Sequence, residues 1–211
     1  VSKVDTGAGE ELPGAHIQII EKVVDDETGE TTEKVVEQWI SQVDDEETEG
    51  VNEAIHTIEG LKTGTEYILR ETVAPEGYTI ATDTTFTIDE QGEVTSSGSV
   101  TEDGILLVED DKTSVSVSKV DTGAGEEVAG ATIQIIETVV DEETGETTET
   151  VVEQWVSKVD DETTENVNEG IHTIEGLKTG VEYTLRETVA PEGYTIATDT
   201  TFVIIADRKS V

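Results

Sequence analysis

A lysine stands where this sequence predicts an apolar side chain. The stretch TSVSVSKV, residues 113–120, alternates valine with serine, a pattern typical of a β-strand with one buried face. Lys119 falls in step with Val115 and Val117, so the pattern places its amine on the buried face. The same motif occurs at the start of the chain, where the equivalent residue is Lys3.

Carboxylic acids occupy similar positions in two other segments. In EYILRE, Glu71 is in step with a tyrosine and a leucine, and the later segment EYTLRE repeats this arrangement with Glu187. In GILLVEDD, residues 104–111, one register buries Asp110 and the other buries Glu109. Both faces of that segment are apolar, so alternation alone leaves its register open.

These residue types can react with one another. Burial disfavours the charged form of both a lysine and a carboxylic acid, which leaves a neutral amine beside a neutral carboxyl group. Held in contact, the amine attacks the carbonyl carbon, while a second carboxylic acid polarises that carbonyl and carries protons. The product is an amide between side chains, with loss of one water when the acceptor is an aspartate. A plainer interpretation is a buried salt bridge, or strand ends whose charged groups reach water.

The composition argues against several other functions. The 211-residue chain carries 50 Asp and Glu against 12 Lys and Arg, and its net charge of −38 repels nucleic acids and anionic membranes. The absence of cysteine excludes disulfides and thiolate metal sites, and the absence of methionine indicates a mature or excised segment. No stretch is long and apolar enough to span a bilayer, so we expect no direct membrane insertion.

The sequence contains two copies of one unit. VSKVDTGAGEELPGAHIQII at residue 1 returns as VSKVDTGAGEEVAGATIQII at residue 117, and the similarity continues without a gap through ATDTTF. Short β-branched segments, such as AHIQII, KVVEQWIS and TDTTFTID, alternate with turns rich in Gly, Asp and Pro. The pattern predicts an all-β sandwich without helices, present as two tandem domains.

The copies diverge after Phe86 and Phe202. The first continues to GILLVEDD, whereas the second reads VIIADRKSV. We therefore expect a complete sandwich over residues 1–113 and a second over 114–211 that lacks its last strand. Asp207 is a poor substitute acceptor, because it follows the strand equivalent to TFTIDE.

The motifs together resemble a known family. VSKVDTGAGEELPGA, GLKTGTEYILRETVAPEGYTIATDTTFTIDEQGEV and LLVEDDKT are similar to the CnaB-type domains of Gram-positive surface proteins, which include SpaA-like pilin modules. The run E-T-x-A-P-x-G-Y with an upstream S-K-x-D is the specific part of the match. The resemblance covers nearly all of the first copy and the second up to about Phe202. It implies an immunoglobulin-like or prealbumin-like β-sandwich.

The resemblance also implies roles for the reactive residues. In that family a first-strand lysine joins an Asn or Asp of the last strand, and the glutamate of the E-T-x-A-P run catalyses the reaction. Asp110 matches the acceptor, and Glu109 is the alternative if the strand shifts by one residue. We expect no complete crosslink in the second copy, whose lysine would await a strand from elsewhere. In this sequence, the family's lysine and glutamate correspond to Lys3 and Glu71 in the first copy and to Lys119 and Glu187 in the second.

The expected function is structural. Tandem sandwiches, stabilised by an autocatalytic Lys–Asp bond, would form the stalk or shaft of an extracellular adhesin or pilus-like protein on the cell surface, with its neighbouring domains as partners. The bond forms once per molecule, so we expect no turnover enzyme, and we expect no cofactor and no metal site. Two alternatives remain open. One is an adhesive module that binds a host or matrix ligand, and the other is a fibre subunit whose second domain is completed by a donor strand from another chain.

Overall fold

The computed structural model describes residues 1–25, 27–45, 47, 52–141, 143–161, 163–165 and 167–206. These residues form β-strands and turns and contain no helix, which confirms the predicted all-β class. Accordingly, this part of the chain has no helix that could cross a membrane. The chain divides into two compact units, Val1–Lys112 (unit 1) and Thr113–Ile205 (unit 2).

The strands of unit 1 follow the segments that alternate in sequence. In chain order they are β1 (Ser2–Asp5), β2 (His16–Val24), β3 (Thr31–Ile40), β4 (Tyr67–Val73), β5 (Thr84–Ile88), β6 (Val94–Ser96) and β7 (Leu107–Asp110). Within the described residues, β2 to β6 form one sheet in the order β3-β2-β4-β5-β6, and β1 pairs with β7 in a second. The larger sheet is antiparallel throughout, whereas β1 and β7 run parallel.

The core of unit 1 lies between these two sheets. Ile17 and Ile19 on β2 and Leu69 on β4 are buried and pack in one cluster with Leu106 and Val108 of the β7 segment. A parallel partner for β1 requires a long connection, and here the rest of the unit provides it. The first and last strands of the unit therefore lie side by side above the core.

Unit 2 repeats most of this arrangement. Its strands are β8 (Ser114–Ser118), β9 (Thr132–Val140), β10 (Thr147–Val156), β11 (Ile171–Glu175), β12 (Glu182–Val189) and β13 (Thr200–Val203). In the described part of this unit, one sheet has the order β10-β9-β12-β13, and β8 pairs with β11 in an antiparallel second sheet. Val115 and Val117 pack against the core while the serines between them are exposed, as the alternation predicts.

Candidate functional site

The amine of Lys3 lies in the interior of unit 1. All four residues of β1 are buried, and the Lys3 side chain is 0% exposed. The parallel register sets Lys3 opposite Val108, so Asp110, two residues further along β7, projects from the same face. Lys3 Nζ donates a hydrogen bond to the Val108 carbonyl oxygen at 3.3 Å and lies 2.5 Å from Asp110 Oδ2.

Glu71 reaches the same point from the opposite sheet. It lies on β4, where it pairs with Ile17 of β2, and its side chain is 0% exposed. One carboxyl oxygen, Oε1, lies 3.6 Å from Lys3 Nζ. The other, Oε2, accepts a hydrogen bond of 2.7 Å from the backbone N–H of Ala81. The lysine and the two acids therefore meet between the sheets.

The loop after β4 positions the backbone N–H that donates to Glu71. The chain reverses at Pro75–Tyr78, where the Tyr78 N–H bonds to the Pro75 carbonyl oxygen at 3.2 Å. Gly77 adopts a φ of 82°, the left-handed conformation that glycine favours at this position of a tight turn. This turn returns the chain so that the Ala81 N–H points at Glu71. The A-P-x-G-Y run therefore forms the turn that positions the glutamate.

Burial sets the electrostatics of the site. Desolvation raises the pKa of Glu71 to about 8, although the nearby Lys3 charge and the Ala81 hydrogen bond oppose the shift. Desolvation also raises the pKa of Asp110, against the opposing effect of its hydrogen bond to Lys3. The neighbouring Asp110 carboxyl raises the pKa of Glu71 further, whereas the neighbouring Glu71 lowers that of Asp110. At neutral pH, Glu71 therefore carries a proton that it can donate to Asp110.

Glu109 lies on the other face of β7. It is exposed, and its Oε2 accepts a hydrogen bond of 2.5 Å from Ser99 Oγ. The structure therefore brings Lys3, Glu71 and Asp110 together and leaves Glu109 at the surface.

Unit 2 contains the lysine and the glutamate in matching positions. Lys119 Nζ lies 3.5 Å from Glu187 Oε1, and the Ala197 N–H donates to Glu187 Oε2 at 2.6 Å, as Ala81 does to its glutamate in unit 1. The Lys119 side chain is 17% exposed, and among the described residues of unit 2 no strand runs parallel to the lysine segment. Asp207 lies outside the described residues.

Sequence comparison identifies the family. The family model described as "SpaA: Prealbumin-like fold domain" matches residues 1–101 and matches again at residues 113–211. The two matches together account for most of the chain. The chain belongs to the SpaA prealbumin-like fold domain family. The expected resemblance to CnaB-type and SpaA-like modules and the expected prealbumin-like fold in two tandem copies are confirmed.

Several solved structures that are similar to this SpaA-family chain are pilins. The shaft pilin SpaA of Lactobacillus rhamnosus GG is 14% identical with a TM-score of 0.34, over 98% of this chain and 92% of that one. A streptococcal ancillary pilin is 21% identical with a TM-score of 0.33, over 98% and 57%. The pilus 2b backbone protein of group B streptococcus is 15% identical with a TM-score of 0.33, over 95% and 80%. No curated protein matches the sequence.

Two features of these SpaA-family units escaped the sequence analysis. The backbone amide of Ala81 cannot be identified from side-chain types, although the turn motif before it is a usable signal. Trp39 also stacks on His56 with ring centroids 4.2 Å apart. Glu37 lies 3.3 Å from the imidazole, and unit 2 repeats the stack.

Within the described residues, no group of three or more His, Cys, Asp or Glu could hold a metal ion.

Proposed function

We propose that unit 1 forms an amide bond between Lys3 Nζ and Asp110 Cγ, with Glu71 as the proton-transfer catalyst. We further propose that the chain is a load-bearing shaft segment of a Gram-positive pilus or adhesin. The observation that carries the proposal is the 2.5 Å approach of Lys3 Nζ to Asp110 Oδ2 in a site whose side chains are fully buried. Such proximity replaces chemical activation of the acid.

The reaction needs no proton from outside the three side chains. The Lys3 ammonium first passes a proton to the Asp110 carboxylate, since a dry site favours the neutral pair. The amine nitrogen then attacks Cγ while Glu71 protonates the carbonyl oxygen and removes a proton from the attacking nitrogen. One hydroxyl of the resulting intermediate leaves as water with a proton from Glu71, and the other returns its proton to Glu71. The products are an amide, one water and a regenerated glutamic acid.

A cavity beside the site supports this reaction. It measures about 270 Å³ and adjoins Glu71, with Leu107, Val108 and Thr79 among its lining residues. It offers the released water a route away from the amide. Loss of the water from a buried site favours the bonded state.

The position of the bond suits a structural role. It joins β1 to β7, the first and last strands of the unit, so a pull on the ends of the unit acts on a covalent link. The link closes a loop of about 100 residues, which by the chain-entropy relation for disulfides contributes roughly 4–5 kcal/mol. A protein without cysteine thereby gains what disulfides provide in other extracellular proteins.

The cellular location and the partners of the protein follow from the same proposal. Because the chain belongs to the SpaA prealbumin-like fold domain family, whose modules resemble those of Gram-positive surface proteins, we assign it to the cell surface, with neighbouring domains as its partners. The net charge of −38 suits a solvated extracellular fibre.

Stretching the whole chain between its ends by single-molecule force spectroscopy tests the load-bearing role. We expect one unfolding event, from unit 2, because unit 1 is locked between Lys3 and Asp110. In Lys3→Met a second event appears and adds roughly 370 Å of contour length, from about 3.5 Å for each released residue.

Unit 2 serves as the internal control in this experiment, because its unfolding event is present in both proteins. Two events of full length in the wild-type chain would contradict the proposed role.

A further inference from the structure

Unit 2 contains a cavity between the end of β10 and the start of β11. It measures about 410 Å³, a volume typical of sites that bind small molecules. Its lining residues include Trp155 and Lys158 at the end of β10 and just after it, and Asn168 and His172 around the start of β11. All of its lining residues belong to the part of the repeat that both copies contain.

Two stacked rings form one wall of this cavity. The rings of Trp155 and His172 lie with their centroids 4.3 Å apart and their planes 15° from parallel, and both rings remain partly exposed. The Glu153 carboxylate lies 2.6 Å from Nε2 of His172, which fixes the imidazole against the indole. A flat and rigid aromatic surface of this kind packs well against the C–H face of a sugar ring.

The charged groups of the cavity favour a negatively charged ligand. Lys158 is exposed, and the ion pairs among the described residues of unit 2 do not include it. A second lining lysine, Lys119, already lies 3.5 Å from Glu187 Oε1. Glu169, which also lines the cavity, accepts a hydrogen bond of 3.2 Å from the Asp161 N–H, so the backbone already engages its charge. Lys158 is therefore the cation that can receive a carboxylate from a ligand.

The lining of this cavity also differs between the two copies of the repeat. Three of the lining residues are not those found at the equivalent positions of unit 1, namely Val156 for Ile40, Lys158 for Gln42 and Gly170 for Ala54. The other lining residues are identical in both copies. Two of the changes shorten a side chain, and the third adds a positive charge to a chain whose net charge is −38. Unit 2 thus departs from unit 1 in the direction that suits an anionic ligand.

We infer that this cavity binds an acidic sugar, a pyranose ring that carries a carboxylate, as in the hexuronic and sialic acid residues of glycans. The ring packs against the stacked rings of Trp155 and His172, and its carboxylate pairs with the Lys158 ammonium. Asn168 Oδ1 accepts the Gly170 N–H at 2.8 Å, so its NH₂ group is the part that donates to a sugar hydroxyl. The inference goes beyond the proposed shaft role and does not depend on the amide bond, because the three site residues of unit 1 take no part in it.

Titration of the isotopically labelled full chain with methyl glucuronide, followed by NMR, tests the inference. Trp39 and Trp155 are the two tryptophans of the chain, so the spectrum contains one indole N–H signal from each unit. We expect the Trp155 signal to shift with a dissociation constant on the order of 1 mM, while the Trp39 signal stays in place as the internal control. The methyl glycoside of N-acetylneuraminic acid is the second probe, and it distinguishes the two kinds of acidic sugar.

Matched probes and variants identify the groups that carry the binding. Methyl glucoside has the ring without the carboxylate, and acetate has the carboxylate without the ring, so each should bind at least about fivefold more weakly than methyl glucuronide. Lys158→Gln gives unit 2 the residue that unit 1 carries in the same fold, and it should weaken glucuronide binding by a similar factor. Lys178→Gln, which changes a lysine outside the cavity lining, should leave the binding unchanged.

A Trp155 signal that moves with neither acidic sugar would overturn the inference. Equal binding of methyl glucoside or of acetate would overturn it as well, because the cavity would then not recognise the carboxylate or the ring. Glucuronide binding that is as tight in Lys158→Gln as in the wild-type chain would also contradict it. Binding of one acidic sugar and not the other would support the inference and identify the kind of sugar. None of these results bears on the amide bond, which is tested separately by mass.

Discussion

Replacing Asp110 with alanine is expected to cost unit 1 at least about 5 kcal/mol of unfolding free energy, whereas replacing Glu109 costs less than about 1 kcal/mol. The Asp110 variant loses the proposed covalent loop closure and leaves the buried Lys3 amine with Glu71, at 3.6 Å, as its acidic neighbour. The Glu109 variant loses one exposed hydrogen bond to Ser99. The two neighbouring acids thus differ because one faces the interior and the other faces water.

Urea denaturation followed by tryptophan fluorescence measures both effects. Each unit contains one tryptophan, Trp39 or Trp155, so a Trp155→Phe background reports on unit 1 alone. Equal effects of the two substitutions would show that Asp110 has no special role. A larger effect of Glu109→Ala would mean that β7 is shifted by one residue.

The rate of bond formation in unit 1 is expected to fall as the pH rises above about 8. Glu71 must carry a proton to polarise the Asp110 carbonyl, and its pKa is raised to about 8 by burial. A raised pKa means that the acid form persists through neutral pH and is lost on the alkaline side. Well above pH 8 the protonated fraction, and with it the rate, drops about tenfold for each pH unit.

Chain purified in denaturant without ever folding provides the starting material for this measurement. It is diluted into native buffer between pH 6 and 10, quenched at intervals, and the loss of water is followed by mass. A Glu71→Gln variant serves as the control and should react far more slowly at every pH. A wild-type rate that keeps rising to pH 10 would show that amine deprotonation alone controls the reaction.

Alternation along the strands was sufficient to predict two of the three site residues of unit 1 as buried. Successive side chains of a strand must point to opposite faces, so a lysine or glutamate in step with apolar neighbours has only one orientation open to it. Lys3 and Glu71 both follow this rule. The prediction needed no knowledge of the partner strands.

The acceptor could not be chosen in the same way. Both faces of GILLVEDD are apolar, and its register depends on pairing with β1, which lies about 100 residues earlier in the chain. The pairing of Lys3 with Val108 is a long-range contact that periodicity does not encode. The exposure of Tyr194 and Ile196 is equally beyond a sequence argument, because identical residues in unit 1 have different neighbours.

The intact mass of the purified chain tests the central claim most directly. The account predicts that the wild-type chain and a Glu109→Gln control are each lighter by one water than their sequences require, and that Lys3→Met and Glu71→Gln have their full mass. Fragmentation should then recover one branched peptide that links Lys3 to Asp110. A wild-type chain of full mass would contradict the account and leave the three buried side chains as an ion-paired cluster.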